Sequence, residues 1–164
     1  MVNVLILGAG GASRAVVYFL ALAGWKVTIA ARRLEQVEAL IRDIRPYLTN
    51  GRLSPVLLSG LALSGTLDEF TLIVNTTPVG MTPNIDASPW PIDLKYPPQG
   101  LVYDLVYNPP ETVFLQQARK AGLATRNGLG MLVRQASASF ERWTGRVAPC
   151  EAMWKAVDEF RYQS

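Results

Sequence analysis

A short apolar segment runs directly into a glycine-rich turn. Residues 4–14 read Val-Leu-Ile-Leu-Gly-Ala-Gly-Gly-Ala-Ser-Arg, which predicts a strand, a tight turn at Gly8 and a helix from Gly11. Because Gly10 has no side chain, a phosphate has room to approach the backbone. The first N–H groups of the helix and the positive end of its dipole then face that anion. Ser13, at the third glycine position of the pattern, is small enough for close helix packing. The segment predicts a dinucleotide-binding α/β fold.

Strands and helices alternate along the rest of the chain. Predicted strands cover residues 2–7, 26–31, 53–57, 71–75, 101–105 and 123–126, and predicted helices cover 11–23, 34–45, 111–121, 131–143 and 151–162. This alternation favours a Rossmann-type doubly wound sheet, six-stranded and mainly parallel, in the order 3-2-1-4-5-6 with helices on both faces. Pro55 interrupts the third strand. The length of 164 residues suits a single domain, 1–164.

A long loop is predicted between the fourth and fifth strands. Residues 78–98 hold six of the eleven prolines. A loop of this length is more than a plain connection, and such loops are often functional. The alternative interpretation is a rigid excursion on the surface.

The first predicted helix is apolar on all sides. Between Gly11 and Gly24, only Ser13 and Arg14 are strongly polar. A helix of this kind is normally buried on both sides, and the sheet covers only one of them. The other side is expected to face a further domain or a second copy of the chain, as in a homodimer. Alternatively, the 151–162 helix or a neighbouring loop covers it.

Composition excludes several classes of function. The chain has no histidine and one cysteine, Cys150, which rules out imidazole metal sites, Ser-His-Asp catalysis and an intrachain disulfide. We therefore expect no metal. The net charge of +3 comes from scattered basic residues, so nucleic acid is not an expected partner. The longest apolar run, 15–25, is shorter than the roughly 20 residues that cross a bilayer, and no secretory leader is recognisable, so we expect a cytoplasmic protein.

The end of the second strand favours NADP over NAD. Folds that bind NAD usually carry an acidic residue there, which bonds the ribose 2′-hydroxyl. Here the strand ends in Ala31-Arg32-Arg33, and the first acidic residue, Glu35, lies in the next helix. Two guanidiniums attract a 2′-phosphate and can bind its oxygens in a fork. The alternative is a solvated helix start, although the helix dipole disfavours cations at that position.

Three further segments follow predicted strands, at the edge where open α/β sheets bind ligands. They are Asn75–Met81, Tyr103–Pro109 and Asn127–Ala136. In the third segment, Met131 and Gln135 are four residues apart and share one helix face. A methionine there can pack on a nicotinamide ring, and an amide can bond substrate hydroxyls, although Gln135 alone is also an ordinary surface residue. A separate stripe on this helix is expected to face the core: Leu132, Ala136, Phe140 and Trp143.

Together, these motifs resemble those of the shikimate 5-dehydrogenase family. The matching segments are Gly8–Ala15, Asn75–Met81, Asp104–Pro109 with Glu111 and Thr112, and Gly128–Leu132 with Gln135 and Ala136. They occur in the family's order and span essentially the whole chain. The resemblance implies that the chain belongs to an oxidoreductase that reduces 3-dehydroshikimate to shikimate with NADPH, in aromatic amino-acid biosynthesis.

The resemblance also implies roles for particular residues. The glycine turn would hold the pyrophosphate through Gly8, Ala9, Gly10, Gly11 and Ala12. The adenosine phosphate would be held by Ala31, Arg32, Arg33 and Gln36. The ribose and nicotinamide would lie along Thr76, Thr77, Leu105, Gly128 and Met131, and the substrate would contact Tyr107 and Gln135. The family's usual motif is Asn-Arg-Thr with a basic residue three positions on. This sequence has Ala31-Arg32-Arg33 and Gln36 at the corresponding positions, so the second basic residue stands at position 33.

A larger departure concerns the substrate domain. Family members carry that domain, with their catalytic lysine and aspartate, ahead of the glycine turn, whereas Met1 stands just before the first predicted strand here. We therefore expect no catalytic residue in this chain. Alone, it is expected to bind NADP(H) without activity and to meet shikimate only with that domain. Two alternatives remain: a non-catalytic NADP-binding module, and an enzyme of the same superfamily acting on quinate or another polyol.

Overall fold

The computed structural model describes residues 2–49, 51–63 and 65–163, and side chains up to residue 159. Its strands are β1 (Asn3–Leu7), β2 (Lys26–Ala31), β3 (Arg52–Leu57), β4 (Leu72–Asn75), β5 (Leu101–Asp104) and β6 (Ala124–Arg126). Its α-helices are α1 (Gly11–Leu22), α2 (Leu34–Ile44), α3 (Val113–Lys120), α4 (Leu129–Thr144) and α5 (Cys150–Gln163). Short 3₁₀ helices cover Arg45–Tyr47, Leu58–Leu63 and Leu67–Glu69.

The six strands form one sheet in the order β3-β2-β1-β4-β5-β6, and every neighbouring pair is parallel. This confirms the predicted topology. The strand order reverses between β1 and β4, and a crevice for ligands opens at such a point, beyond the carboxyl ends of the strands. Pro55 is compatible with β3 because β3 is an edge strand, where a missing N–H need not break the ladder.

Each face of the sheet buries its own apolar cluster, because side chains alternate along the strands. Val4 and Ile6 of β1 point to the face covered by α1 and α2. Leu5 and Leu7 point to the opposite face, which α3 and the proline-rich loop cover. Trp90 of that loop is 4% exposed and belongs to this second cluster. The loop is therefore part of the core on this side.

Helix α1 exposes large apolar side chains. Ser13, Val17 and Ala21 are buried on its inner face, whereas Phe19 is 67% exposed and Leu22 is 56% exposed. Helix α5 packs against α4. Among the described residues, neither α5 nor a neighbouring loop covers Phe19 and Leu22, so the second interpretation of this helix is wrong for these two side chains.

The inward face of α4 differs from the prediction. Leu129 and Val133 are its buried residues, and Trp143, placed in the predicted core stripe, is 82% exposed. The helix begins two residues before the predicted start, and Leu129 and Val133, four residues apart, form its buried face. Leu132 stands about 100° around the helix from Val133, so the predicted stripe lies beside the buried face: Leu132 and Phe140 are half-buried, and Ala136 and Trp143 are exposed. Within the described residues, no helix is both long and apolar enough to span a membrane.

Candidate functional site

The glycine turn after β1 is held from two sides. Gly8 has a φ of +110°, a conformation that side chains rarely allow, and its N–H donates to the Ala30 carbonyl of β2 at 2.8 Å. The buried hydroxyl of Ser13 donates to the Gly8 carbonyl at 2.8 Å. Serine at the third position of the glycine pattern thus fastens the turn to the first turn of α1.

Gly8 and Gly10 are glycine for different reasons. A Cβ on Gly8 would lie 2.7 Å from Thr77 Cγ2 and 2.9 Å from Thr76 Oγ1, so the loop after β4 leaves no space for a side chain. Among the residues that the structure describes, nothing would lie within 4 Å of a Cβ on Gly10 or Gly11. The protein itself therefore does not require glycine at these two positions, and bare backbone is left open to a ligand.

The start of α1 is suited to an anion. The first helical hydrogen bond runs from the Arg14 N–H to the Gly10 carbonyl at 3.1 Å, so the preceding N–H groups have no partner in the helix. No acidic side chain occupies the first turn. Free amides, the positive dipole end and the open space above Gly10 and Gly11 together fit the pyrophosphate of a dinucleotide.

Two arginines stand beyond the end of β2, where the adenosine end of a dinucleotide would lie. Arg32 and Arg33 are exposed, and neither guanidinium forms an ion pair within the described ranges. Arg33 is the N-cap residue of α2 and makes no side-chain capping bond. Gln36 is exposed one turn into the same helix. An open groove of about 360 Å³ adjoins Arg32, lined by Leu58, Ser59, Ser88, Pro89, Trp90 and Pro91.

A buried polar pair joins the ends of β4 and β5. The strand register sets Asn75 opposite Asp104, and the Asn75 amide donates to Asp104 Oδ1 at 2.8 Å. Asn75 Oδ1 accepts from the Thr77 N–H at 2.9 Å and from the Thr77 hydroxyl at 2.7 Å. The Thr76 hydroxyl donates to the Leu7 carbonyl at 2.7 Å, which fixes the same loop to β1.

Asp104 is fully buried and accepts two further hydrogen bonds. Its Oδ1 accepts from the Val106 N–H at 3.0 Å, and its Oδ2 accepts from the Thr112 hydroxyl at 2.7 Å. Burial raises the pKa of this carboxyl, and the three hydrogen bonds oppose that rise. Thr112 also caps α3 by accepting from the Leu115 N–H, which starts that helix at 113 rather than at the predicted 111.

The segments after β5 and β6 are joined in a similar way. The Gly128 N–H donates to the Val106 carbonyl at 3.1 Å, and a Cβ on Gly128 would overlap the Leu105 carbonyl oxygen. The Asn127 amide donates to the Pro110 carbonyl at 2.8 Å. The ends of β1, β4, β5 and β6 therefore form one connected edge.

The predicted substrate residues lie beside this edge. Tyr107 is 40% exposed, directly after the Asp104–Val106 segment. Met131 is half-buried in the first turn of α4, and Gln135 is exposed one turn later. No hydrogen bond between described residues joins Gln135 to Tyr107. No role was predicted for Asn75, Asp104 or Thr112. A polar residue at the end of each of two apolar strands marks Asn75 and Asp104 in the sequence, but their pairing depends on the β4–β5 register.

Comparison with known proteins identifies relatives over most of the chain. A profile of the shikimate 5′-dehydrogenase C-terminal domain matches residues 128–157. The shikimate dehydrogenase (NADP(+)) of Methanocaldococcus jannaschii is 43% identical over 155 residues, which are 94% of this chain and 54% of that protein. The chain thus spans about half the length of the curated relatives that it matches.

Solved structures share the fold as well. A crystal structure of shikimate dehydrogenase in complex with NADP⁺ has a TM-score of 0.84 and 39% identity, covering 96% of this chain and 54% of that one. The Thermus thermophilus enzyme in complex with NADP(H) and shikimate has a TM-score of 0.79 and 36% identity, covering 95% and 54%. Quinate dehydrogenase from Corynebacterium glutamicum in complex with NAD has a TM-score of 0.82 and 28% identity, covering 96% and 55%. Over nearly its whole length, the chain is therefore similar in sequence and in fold to about half the length of shikimate dehydrogenases.

Proposed function

We propose that this chain is the NADP-binding part of a shikimate dehydrogenase. One observation carries the proposal: open glycine backbone lies at the start of α1, and the guanidiniums of Arg32 and Arg33, beyond the end of β2, form no ion pair with any residue that the structure describes. Relatives named as NADP(+)-dependent shikimate dehydrogenases support the same cofactor.

The proposal assigns the cofactor to three parts of the edge. The pyrophosphate lies over Gly8, Ala9, Gly10, Gly11 and Ala12, where the helix dipole and free amides stabilise its charge. Arg32 and Arg33 bind the 2′-phosphate, beside Ala31 and Gln36. The ribose and nicotinamide lie along Thr76, Thr77, Leu105, Gly128 and Met131.

Tyr107 and Gln135 form the substrate side of the proposed site. When bound, the cofactor supplies the hydride that reduces the ketone of 3-dehydroshikimate. The developing alkoxide also needs a proton from a positioned acid. Asp104 does not fit that role, because its carboxyl is fully buried and accepts three hydrogen bonds. We propose that the acid belongs to a substrate-binding domain in the half of the relatives that this chain does not match.

Parallel titrations with NADP⁺ and NAD⁺ test the cofactor assignment. We expect NADP⁺ to bind more tightly, and Arg32→Asp to remove most of that preference, because a carboxylate repels the 2′-phosphate. Arg146→Asp, which makes the same charge change at an exposed position between α4 and α5, is the matched control and should keep the preference. Equal affinity of the unaltered chain for both cofactors would contradict the assignment.

A second candidate is an enzyme that acts on quinate. The fold similarity to quinate dehydrogenase favours it, since the cofactor-binding edge is shared. Adding the separately produced substrate domains of a shikimate dehydrogenase and of a quinate dehydrogenase, each in its own mixture, distinguishes the candidates. Greater activity with the shikimate dehydrogenase domain supports the first, greater activity with the quinate dehydrogenase domain supports the second, and NADP⁺ binding without activity in either mixture favours a non-catalytic module.

A further inference from the structure

Three polar side chains are fully buried at the ends of β4 and β5 and just before α3, where apolar side chains could have packed instead. Asn75, Asp104 and Thr112 are all 0% exposed. Removing amide and carboxyl groups from water is costly, and hydrogen bonds mostly offset that cost rather than exceed it. Apolar side chains would pack at these positions without any such cost. The pair Asn75–Asp104 therefore requires an explanation other than stability.

Asn75 acts as a hydrogen-bond acceptor towards the loop after β4 and as a donor towards the end of β5. Its amide oxygen accepts two hydrogen bonds from Thr77, and its amide nitrogen donates to Asp104. Thr77 lies in the loop that also packs on Gly8. An aspartate would repel Asp104, and an aliphatic side chain would bond neither partner. Of side chains of this size, only an amide serves both sides at once.

Asp104 extends the connection to the substrate side. Its Oδ1 is shared by the Asn75 amide, at 2.8 Å, and the Val106 N–H, at 3.0 Å. Val106 directly precedes Tyr107. Four residues thus form a continuous chain of hydrogen bonds: Thr77, Asn75, Asp104 and Val106. Hydrogen bonds in such a buried chain polarise and strengthen one another.

We propose that Asn75 and Asp104 are positioning residues that transmit cofactor binding at Thr76–Thr77 to the backbone of Val106–Tyr107. Cofactor binding immobilises Thr77, at one end of the series of hydrogen bonds. The Asp104 oxygen that Asn75 and Val106 share then holds the Val106 amide more firmly. Tyr107 is fixed for substrate when the cofactor is in place. The inference rests on the proposed function, because it requires NADP at Thr76–Thr77.

Amide hydrogen exchange of the full chain, with and without saturating NADP⁺, tests this transmission. In the unaltered protein, NADP⁺ should slow exchange at both Thr77 and Val106, by about tenfold or more. In Asn75→Ala, NADP⁺ should still bind, with weaker affinity, and the slowing at Val106 should disappear. Asp104→Asn should retain it, because the amide oxygen can still accept from Asn75 and Val106 while its nitrogen donates to Thr112.

Thr82→Ala is the matched control in the same loop. It removes an exposed hydrogen bond to Asn108 Oδ1, 3.3 Å long, outside the buried chain, and should leave the response at Val106 unchanged. If Asn75→Ala does not fold, Asn75→Ser replaces it, since a hydroxyl cannot reach both Thr77 and Asp104. Equal slowing at Val106 with Asn75 altered would overturn this inference alone. Failure of the unaltered chain to bind NADP⁺ would overturn the proposed function together with it.

Discussion

At the scale of single residues, the site depends on two glycines, Gly8 and Gly10, at which a side chain is absent. Gly8 is glycine because its backbone conformation and two threonines exclude a side chain. Gly10 has a φ of −89°, and a Cβ there would meet no described residue beyond its immediate neighbours, so its bare backbone leaves space that a ligand can occupy. Both positions contribute to the same turn, but they are expected to respond to substitution in different ways.

The pair Gly8→Ala and Gly10→Ala separates folding from binding. Gly8→Ala should lower the free energy of unfolding by about 1–3 kcal/mol, since it forces a strained conformation against Thr76 and Thr77. Gly10→Ala should lower it by about 1 kcal/mol or less, since Gly10 is the N-cap residue of α1 and has no strained conformation. Gly10→Ala should nevertheless weaken NADP⁺ binding by about tenfold, equivalent to about 1.4 kcal/mol, because its methyl group occupies the phosphate's approach. Urea unfolding and titration measure the two effects, and unchanged NADP⁺ affinity in Gly10→Ala would contradict the pyrophosphate assignment.

Asp104 gives the chain a pH dependence of defined sign. Burial raises the pKa of this carboxyl above 3.8 in the folded state, so the folded chain holds the proton to higher pH than the unfolded chain. Its contribution to stability is complete below pH 3.8 and is lost as pH rises through the folded pKa. The free energy of unfolding, expressed as wild type minus Asp104→Asn, should therefore fall as the pH rises above 3.8.

Urea unfolding at several pH values and constant ionic strength measures this difference. Asp86→Asn, at an exposed carboxyl, corrects for the general effect of removing one charge. A wild-type-minus-variant difference that rises with pH would show that the three hydrogen bonds outweigh burial.

At the scale of elements, the first residues of α2 are unfavourable for helix stability. A cation at a helix N-terminus opposes the dipole, and Arg33 makes no capping bond there. Serine at position 33 would cap the helix, and Gln36, at the third helical position, would then complete a capping box. An uncapped helix with two arginines is reasonable if a phosphate compensates for them.

Arg33→Ser should consequently improve stability while it harms binding. We expect the free energy of unfolding to rise by about 0.5–1 kcal/mol, and NADP⁺ affinity to fall. Arg32→Ser, one residue before the cap, should weaken NADP⁺ binding without that gain. Thermal unfolding and titration of both variants provide the measurement. A gain in stability with undiminished NADP⁺ affinity would remove Arg33 from the site.

The elements also show where sequence reasoning succeeds. The strand–turn–helix at Gly8 and the alternation of elements predicted the sheet order, because local periodicity and chain connectivity determine both. The inward face of α4 was predicted incorrectly, because it depends on a helix start at Leu129. The Asn75–Asp104 pair could not be derived in advance, since it requires the β4–β5 register, which packing of the whole sheet fixes.

At the scale of the whole molecule, one edge of the sheet gathers all the predicted ligand-binding segments. Hydrogen bonds connect the loops after β1, β4, β5 and β6. The exposed Phe19 and Leu22 lie on α1, the helix whose first turn faces the proposed pyrophosphate. The chain spans about half the length of its curated relatives. We propose that its site is the cofactor half of a larger catalytic centre.

A crystal structure of the chain with NADP⁺ tests the central claim most directly. The account predicts the pyrophosphate over Gly10 and Gly11, the 2′-phosphate within hydrogen-bond distance of Arg32 and Arg33, and the nicotinamide beside Thr77. A cofactor bound with its 2′-phosphate away from both arginines, or a crevice filled by the chain's own side chains in the presence of saturating NADP⁺, would contradict it.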